Sequence, residues 1–214
     1  MVEFGKPNLL AVRVDNTVFD DVYPQAADFT FYGGIYRDVN IISVNKVHID
    51  LMDYGSQGVY ITPQSVRAEE AKLNICTRLK NEDTVERKVR LWVDILDRDG
   101  VAVTYASREV FIPPAETSQI DLPAVIQKPN LWNGRKNPYL YEARVHIESF
   151  NEVIDETFIP FGVRFFSVSA ENGFFLNGEH LPLNGVSRHQ DRKDKGWAIS
   201  HADHEEDLRL IKEL

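Results

Sequence analysis

Two stretches near the middle of the chain alternate apolar and polar residues with a period of two, and that pattern leaves little freedom of fold. In Lys72-Leu73-Asn74-Ile75-Cys76-Thr77-Arg78-Leu79-Lys80 the apolar set falls at 73, 75 and 79, with Cys76 off-phase. In Arg90-Leu91-Trp92-Val93-Asp94-Ile95-Leu96-Asp97 it falls at 91, 93 and 95. Side chains of a strand point alternately to opposite faces, so each run predicts a strand with one buried and one wet face. Similar segments recur at Val47–Met52, Gly58–Thr62, Glu70–Lys80, Arg87–Leu96, Ala106–Ile112, Ser118–Leu122, Leu140–Ser149 and Val153–Phe158. Asp97-Arg98-Asp99-Gly100 supplies a turn, its glycine suited to positive φ. It lacks the later ligands of a calcium loop and reads as a plain turn. Short strands at regular spacing, with no helix-period stretch, internal repeat or low-complexity linker, predict an immunoglobulin-like β-sandwich over residues 46–168.

The flanks read differently. Residues 9–14, Leu-Leu-Ala-Val-Arg-Val, form a β-rich apolar run, and Asp20-Asp21 with Pro24 marks a loop. An aromatic-dense segment, Asp28 to Val39, is broken by Gly33-Gly34, and residues 35–44 continue as a strand. Two strands cannot bury a core, so residues 1–45 read as the tail of a domain. Downstream, Asn177-Gly178 between apolar runs is a strong hairpin signal, because both central positions of a type I′ turn need φ > 0. Leu183 to Asp191 then reads as a short buried strand running into a polar cluster, and Ser200 to Leu214 as a capped helix. A strand followed by a helix is the unit of an α/β barrel, whose chemistry sits at the C-terminal ends of its strands. Residues 169–214 are therefore expected to begin a barrel of which most is missing from this chain. Ser200 with Asp203 makes a capping-box pattern, and Asp203, Glu205, Glu206 and Asp207 crowd the first turns, where the helix dipole favours negative charge. Leu208, Ile211 and Leu214 form one apolar stripe, expected to be exposed or covered by a partner.

A chain of 214 residues holds one or two domains, and a formal charge of −9 argues against nucleic acid while leaving a neutral sugar as a partner. No apolar run approaches the roughly 18 residues of a membrane span, and the N-terminal residues lack the pattern of a signal peptide. Cys76 is the only cysteine, so no internal disulfide forms; it reads as a small buried hydrophobe rather than a nucleophile. The compartment is left open between cytoplasm and periplasm.

Three segments resemble glycoside hydrolase family 2, and within it the β-galactosidases. Tyr32-Gly33-Gly34-Ile35-Tyr36-Arg37-Asp38-Val39 looks like the end of the family's sugar-binding jelly roll. Pro129-Asn130-Leu131-Trp132-Asn133 with Asn137-Pro138-Tyr139-Leu140-Tyr141, closing at Phe161-Gly162-Val163-Arg164, is similar to its immunoglobulin-like second domain. Phe175-Leu176-Asn177-Gly178 through Asn184-Gly185-Val186-Ser187-Arg188-His189 is similar to its lead-in hairpin and first barrel strand. The resemblance implies a mainly β chain: a β-sandwich flanked by the last strands of a jelly roll and the first strand and helix of a truncated (β/α)8 barrel. It implies retaining hydrolysis of terminal β-galactosides by two Glu residues roughly 5 Å apart. Both belong to later barrel strands. Neither Asn81-Glu82 nor Asn151-Glu152 has the context of the family's acid/base pair, so no catalytic residue is assigned in this chain, and the chain alone is expected to be inactive. β-Glucuronidase and β-mannosidase remain alternatives within the family, and a non-catalytic carbohydrate-binding or assembly module outside it. Homo-oligomerisation is left open.

By the same resemblance, His189 matches a histidine that contacts the sugar near the scissile bond, and Asp28 a carboxylate that holds a galactosyl hydroxyl and in some members touches sodium. No metal or cofactor is expected within this chain, although full-length members use Mg or Na. Trp197, after Gly196, is the best candidate for stacking on a sugar; Trp92 is a weaker one, and Trp132 reads as packing between strands. Arg188 and Asp191 read as a structural ion pair or solvated loop, and Arg37 with Asp38 as structural. His201 and His204 have a spacing that could hold a metal but no third ligand, so they read as helix surface.

Overall fold

The computed structural model describes residues 3, 5–17, 20, 21 and 26–213. The sequence expectations at Pro24 and Leu214, and at Met1, Val2 and Phe4 of the N-terminal segment, lie outside the described residues. The chain is mainly β, with antiparallel sheets. It divides into two compact units: residues 42–184, and residues 1–41 together with 185–214.

The larger unit is a two-sheet sandwich. Its strands are β1 (Val47–Ile49), β2 (Val59–Val66), β3 (Glu70–Asn81), β4 (Arg87–Leu96), β5 (Ala102–Ile112), β6 (Thr117–Gln127), β7 (Tyr141–Ser149) and β8 (Glu152–Phe161). In one sheet β3 is central, pairing with β1 and β2 and with β6; the other runs β5-β4-β7-β8. The alternation predicted from the sequence sets which face is inward. Leu73, Ile75 and Leu79 of β3 and Leu91, Val93 and Ile95 of β4 are all at most 2% exposed, and they meet Leu122 and Ile126 of β6 and Val145 and Ile147 of β7. Thr77 occupies the inward phase between Ile75 and Leu79 and is fully buried, while Cys76 sits half-buried on the outer face.

Asn81 closes one end of this sandwich. Its Nδ2 donates to the carbonyls of Val85, Ile112 and Pro113 at 2.9, 2.9 and 3.1 Å, and its Oδ1 accepts from Asp83 N at 2.9 Å. At the 97–101 turn, Asp97 Oδ1 accepts from the Asp99 and Val101 amides, and Gly100 has φ +76°, as a plain turn requires. Trp132 packs on Gly162, where an added Cβ would come within 2.7 Å of the tryptophan Cβ, and Arg164 covers the ring at 4.7 Å. Trp92 lies between Tyr105 and His146, with ring centroids 5.2 and 6.2 Å away, and its indole N–H bonds to Asp94. Both faces of that ring are therefore occupied by protein, which removes it as a free sugar platform.

A small meander, β9 (Phe166–Ser169), β10 (Gly173–Leu176) and β11 (Glu179–His180), follows in the same unit. Its turn is the one the sequence predicts: Asn177 and Gly178 have φ of +52° and +83° between the paired residues Leu176 and Glu179. Asn177 also donates from Nδ2 to the Trp132 carbonyl at 2.9 Å, tying the hairpin to the sandwich.

Residues 9–14, 35–44 and 183–187, three runs with strand composition, make no ladder with any described strand of this chain. Leu183 and Val186, expected in a buried strand, are 69% and 68% exposed in this chain, and Leu9 and Ile41 are 97% and 86% exposed. A strand is defined by hydrogen bonds to a neighbour, and no described strand lies beside these runs. The predicted helix is present as α1 (His201–Glu213).

Candidate functional site

The smaller unit is organised by rings rather than by a sheet. Trp197 is at its centre, with ring centroids of Phe29, Tyr32 and Tyr36 at 6.1, 5.6 and 5.4 Å. Edge-to-face and tilted contacts of this kind add specific attraction to the area the rings bury. Gly196 makes the approach feasible: its φ is +54°, and a Cβ there would lie 2.9 Å from the Tyr32 ring. Arg37 ties the two segments together, donating to the Trp197 carbonyl, to the Tyr36 carbonyl at 2.9 Å and to Gln190 Oε1 at 3.3 Å.

These residues line an open cavity of about 460 Å³, with Phe29, Tyr36 and Trp197 as its apolar lining and Arg37, Arg188, His189 and Gln190 as its polar lining. The His189 ring meets Phe29 edge-on at 6.0 Å and 81°. Of the residues singled out from the sequence, His189 and Trp197 are brought to this one cavity. Asp28 is exposed beside Phe29 and is not among the lining residues. The aromatic density around Phe29 and Tyr36 was visible in the sequence; that it would converge on Trp197 was not.

The loop that carries His189 is fastened to α1 by charge. Residues 192–196 form a tight turn, with Arg192 and Gly196 exchanging backbone hydrogen bonds at 3.1 and 2.9 Å. The turn aims Arg192 and Lys195 at the start of α1. Arg192 donates to Asp203, Glu206 and Asp207 at 2.7 to 2.8 Å, and Lys195 to Asp203 at 2.7 Å. Arg188 donates through Nε to Asp207 Oδ2 at 2.8 Å and faces His204 Nδ1 at 3.0 Å. A guanidinium only donates, so His204 Nδ1 is the acceptor and the ring proton is on Nε2. The structural ion pair expected of Arg188 is present; its partner is Asp207 rather than Asp191.

Ser200 and Asp203 form the predicted capping box: Asp203 Oδ2 accepts from the Ser200 amide at 2.7 Å, and the Asp203 amide donates to Ser200 Oγ at 3.4 Å. The Lys195 ammonium, with the Ser200 donors and Arg192, holds the Asp203 carboxyl well below the usual carboxylate range. Arg188 and Arg192 lower Asp207 in the same sense, and Asp207, Glu206 and Asp203 in turn raise Arg192. The acidic first turns of α1, read from sequence as complementing the helix dipole, thus also neutralise three loop cations. His201 is exposed, 3.4 Å from Glu205, and His204 is turned to Arg188, so the two do not converge. Among the described residues no group of three or more His, Cys, Asp or Glu side chains could hold a metal ion.

Residues 47–164, from β1 to just past β8, match the family described as Glycosyl hydrolases family 2. The whole chain is 38% identical to a β-glucuronidase of Bacteroides fragilis and 32% identical to a β-galactosidase of Bacteroides ovatus. It spans 30% and 24% of the lengths of those relatives. Among solved structures, a Bacteroides uniformis β-glucuronidase superposes with a TM-score of 0.84 at 33% identity, over 94% of this chain and 24% of that one. The strand patterning, the sandwich it builds and these likenesses agree, and the chain belongs to glycosyl hydrolase family 2.

Proposed function

We propose that the protein carrying this chain is a retaining hydrolase of terminal β-glycosides, and that the cavity around His189 forms part of its glycone pocket. The observation that carries this reading is the convergence of His189, Trp197 and Arg37 on one aromatic-lined cavity. Trp197 and Phe29 offer apolar surface to the C–H face of a pyranose ring. The His189 imidazole can donate to a ring hydroxyl, a contact that lowers the barrier where it strengthens in the transition state. Asp28, exposed and next in sequence to the lining residue Phe29, is assigned to a further hydroxyl. The catalytic Glu pair of a retaining mechanism is assigned to other parts of the parent protein. Asn81-Glu82 and Asn151-Glu152 both fall at connections between sandwich strands, so this chain by itself is expected to give no turnover.

For the glycone, a β-D-glucuronide is the first reading. Among the described residues, the hydrogen bonds of Arg37 go to two carbonyls and an amide oxygen, none of them a carboxylate, so its charge is available to an anionic sugar. The 38% identity to a β-glucuronidase over the whole chain supports the same choice. A β-D-galactoside is the second reading, favoured by the Bacteroides ovatus relative and by the motif resemblance. The test is the full-length enzyme on 4-nitrophenyl β-D-glucuronide and β-D-galactoside. A kcat/KM at least tenfold higher on the glucuronide is expected, the reverse order would make the enzyme a galactosidase, and no release from any aryl β-glycoside would sink the proposal.

A further inference from the structure

We infer that Asp207 and His204, on α1, are positioning residues for His189, acting through the guanidinium of Arg188. The inference rests on the reading of the cavity given above. It begins from the side chains of the 183–190 segment and their partners on α1. Arg188 is the residue best tied down: its side chain is 20% exposed, its Nε and Nη2 both reach Asp207 Oδ2, and its Nη1 reaches His204 Nδ1 at 3.0 Å. The planar fork of a guanidinium fixes direction as well as distance, which a lysine in its place would not do.

Asp207 is itself held on its second oxygen by Arg192 at 2.7 Å, so the carboxylate cannot rotate away without breaking two contacts. Arg188 and His189 are consecutive and both line the cavity. A change in the Arg188 anchor therefore moves the His189 ring against Phe29. Ground-state misplacement of about 1 Å at a contact to the reacting sugar costs on the order of 100-fold in rate. Asp203 gives the internal contrast. It anchors Arg192, Lys195 and Ser200 and makes no contact with Arg188. General fastening of α1 depends on Asp203 and Asp207 alike; positioning of His189 depends on Asp207 and His204.

The test uses the full-length enzyme and its better aryl β-glycoside. Asp207→Asn is expected to lower kcat/KM by about 10- to 100-fold, with Asp207→Glu recovering most of that loss. His204→Gln, which keeps an acceptor for Arg188, is expected to stay within a few-fold of the parent. His204→Lys, which sets a cation against the guanidinium, is expected to fall as far as Asp207→Asn. Arg209→Gln, in an exposed pair with Glu213 away from the loop, serves as the unchanged control. A second readout does not need turnover: the rate of His189 carbethoxylation by diethyl pyrocarbonate, mapped by mass spectrometry. That rate is expected to rise several-fold in Asp207→Asn while the exposed His201 reacts at the parental rate. Loss of turnover without a change at His189, or equal effects of His204→Gln and His204→Lys, would overturn the inference. An inactive parent enzyme would sink the proposed function instead, and the His189 labelling would still decide this one.

Discussion

At the scale of single residues, Thr77 and Asn81 are two buried polar side chains of the sandwich with opposite outcomes. Thr77 falls in the inward phase of β3, is fully buried, and its hydroxyl has no hydrogen-bond partner among the described residues. A buried hydroxyl without a partner costs about 1–3 kcal/mol. Thr77→Val keeps the shape and removes the cost, so it is expected to raise unfolding free energy by about 1 kcal/mol, read from the urea midpoint. Asn81 is the opposite case, a buried amide whose donors and acceptor all find backbone partners. Asn81→Ala leaves those groups unpaired and is expected to cost about 3 kcal/mol in the same measurement. The pattern of apolar residues predicts which positions are inside; it does not tell a satisfied polar residue from an orphaned one. That difference depends on which carbonyls the chain brings alongside.

At the scale of elements, α1 was the helix the sequence specified most fully, and its capping box forms as written. Ser200→Ala removes the Oγ cap and is expected to destabilise the helix by about 1 kcal/mol. Its charges have a consequence for pH. Asp203 and Asp207 have carboxyls lowered by the loop cations in the folded state. A group whose folded pKa is depressed stabilises fully above its unfolded value, about 4, and loses that contribution as pH falls through the folded value. Docking of α1 on the 188–195 loop is thus expected to hold from neutral pH down to about 4 and to weaken below it. Acid titration of the helical circular-dichroism band checks this, and Asp203→Asn should lose part of the step. Runs 9–14, 35–44 and 183–187 have strand composition but pair with no described strand; strand formation needs a neighbour, and composition carries no information about one.

At the scale of the whole molecule, the chain is two units of unlike construction. Residues 42–184 bury a continuous core between hydrogen-bonded sheets; residues 1–41 with 185–214 hold together through an aromatic cluster and ion pairs. Local opening follows the density of buried apolar contacts, so the second construction opens first. Limited proteolysis of the isolated chain is expected to cut within residues 9–17 and 185–199 before any cut inside 59–161. Cleavage in the sandwich at the same rate would contradict that order. The β9–β11 meander is expected to survive with the sandwich, because Asn177 is bonded to Trp132 and Lys136 to Glu179 at 2.8 Å. The sequence resemblance groups the 174–182 hairpin with the barrel lead-in, whereas by contacts it belongs to the 42–184 unit.

Period-two alternation, the Asn177-Gly178 turn and the Ser200 cap were each determined by residues close together in the chain. Their outcome rests on local preference: side chains alternate on a strand, two left-handed positions close a hairpin, and a hydroxyl satisfies the free amides of a first turn. The site was only partly visible in that way. His189 and Trp197 could be named by likeness, but the partners that set them, Arg188 with Asp207 and Trp197 with Phe29, Tyr32 and Tyr36, are far apart in sequence. Which cation meets which carboxylate, and which rings share a cavity, is settled by where folding brings distant segments, because charge and aromatic contacts act over a few ångströms of space and not along the chain.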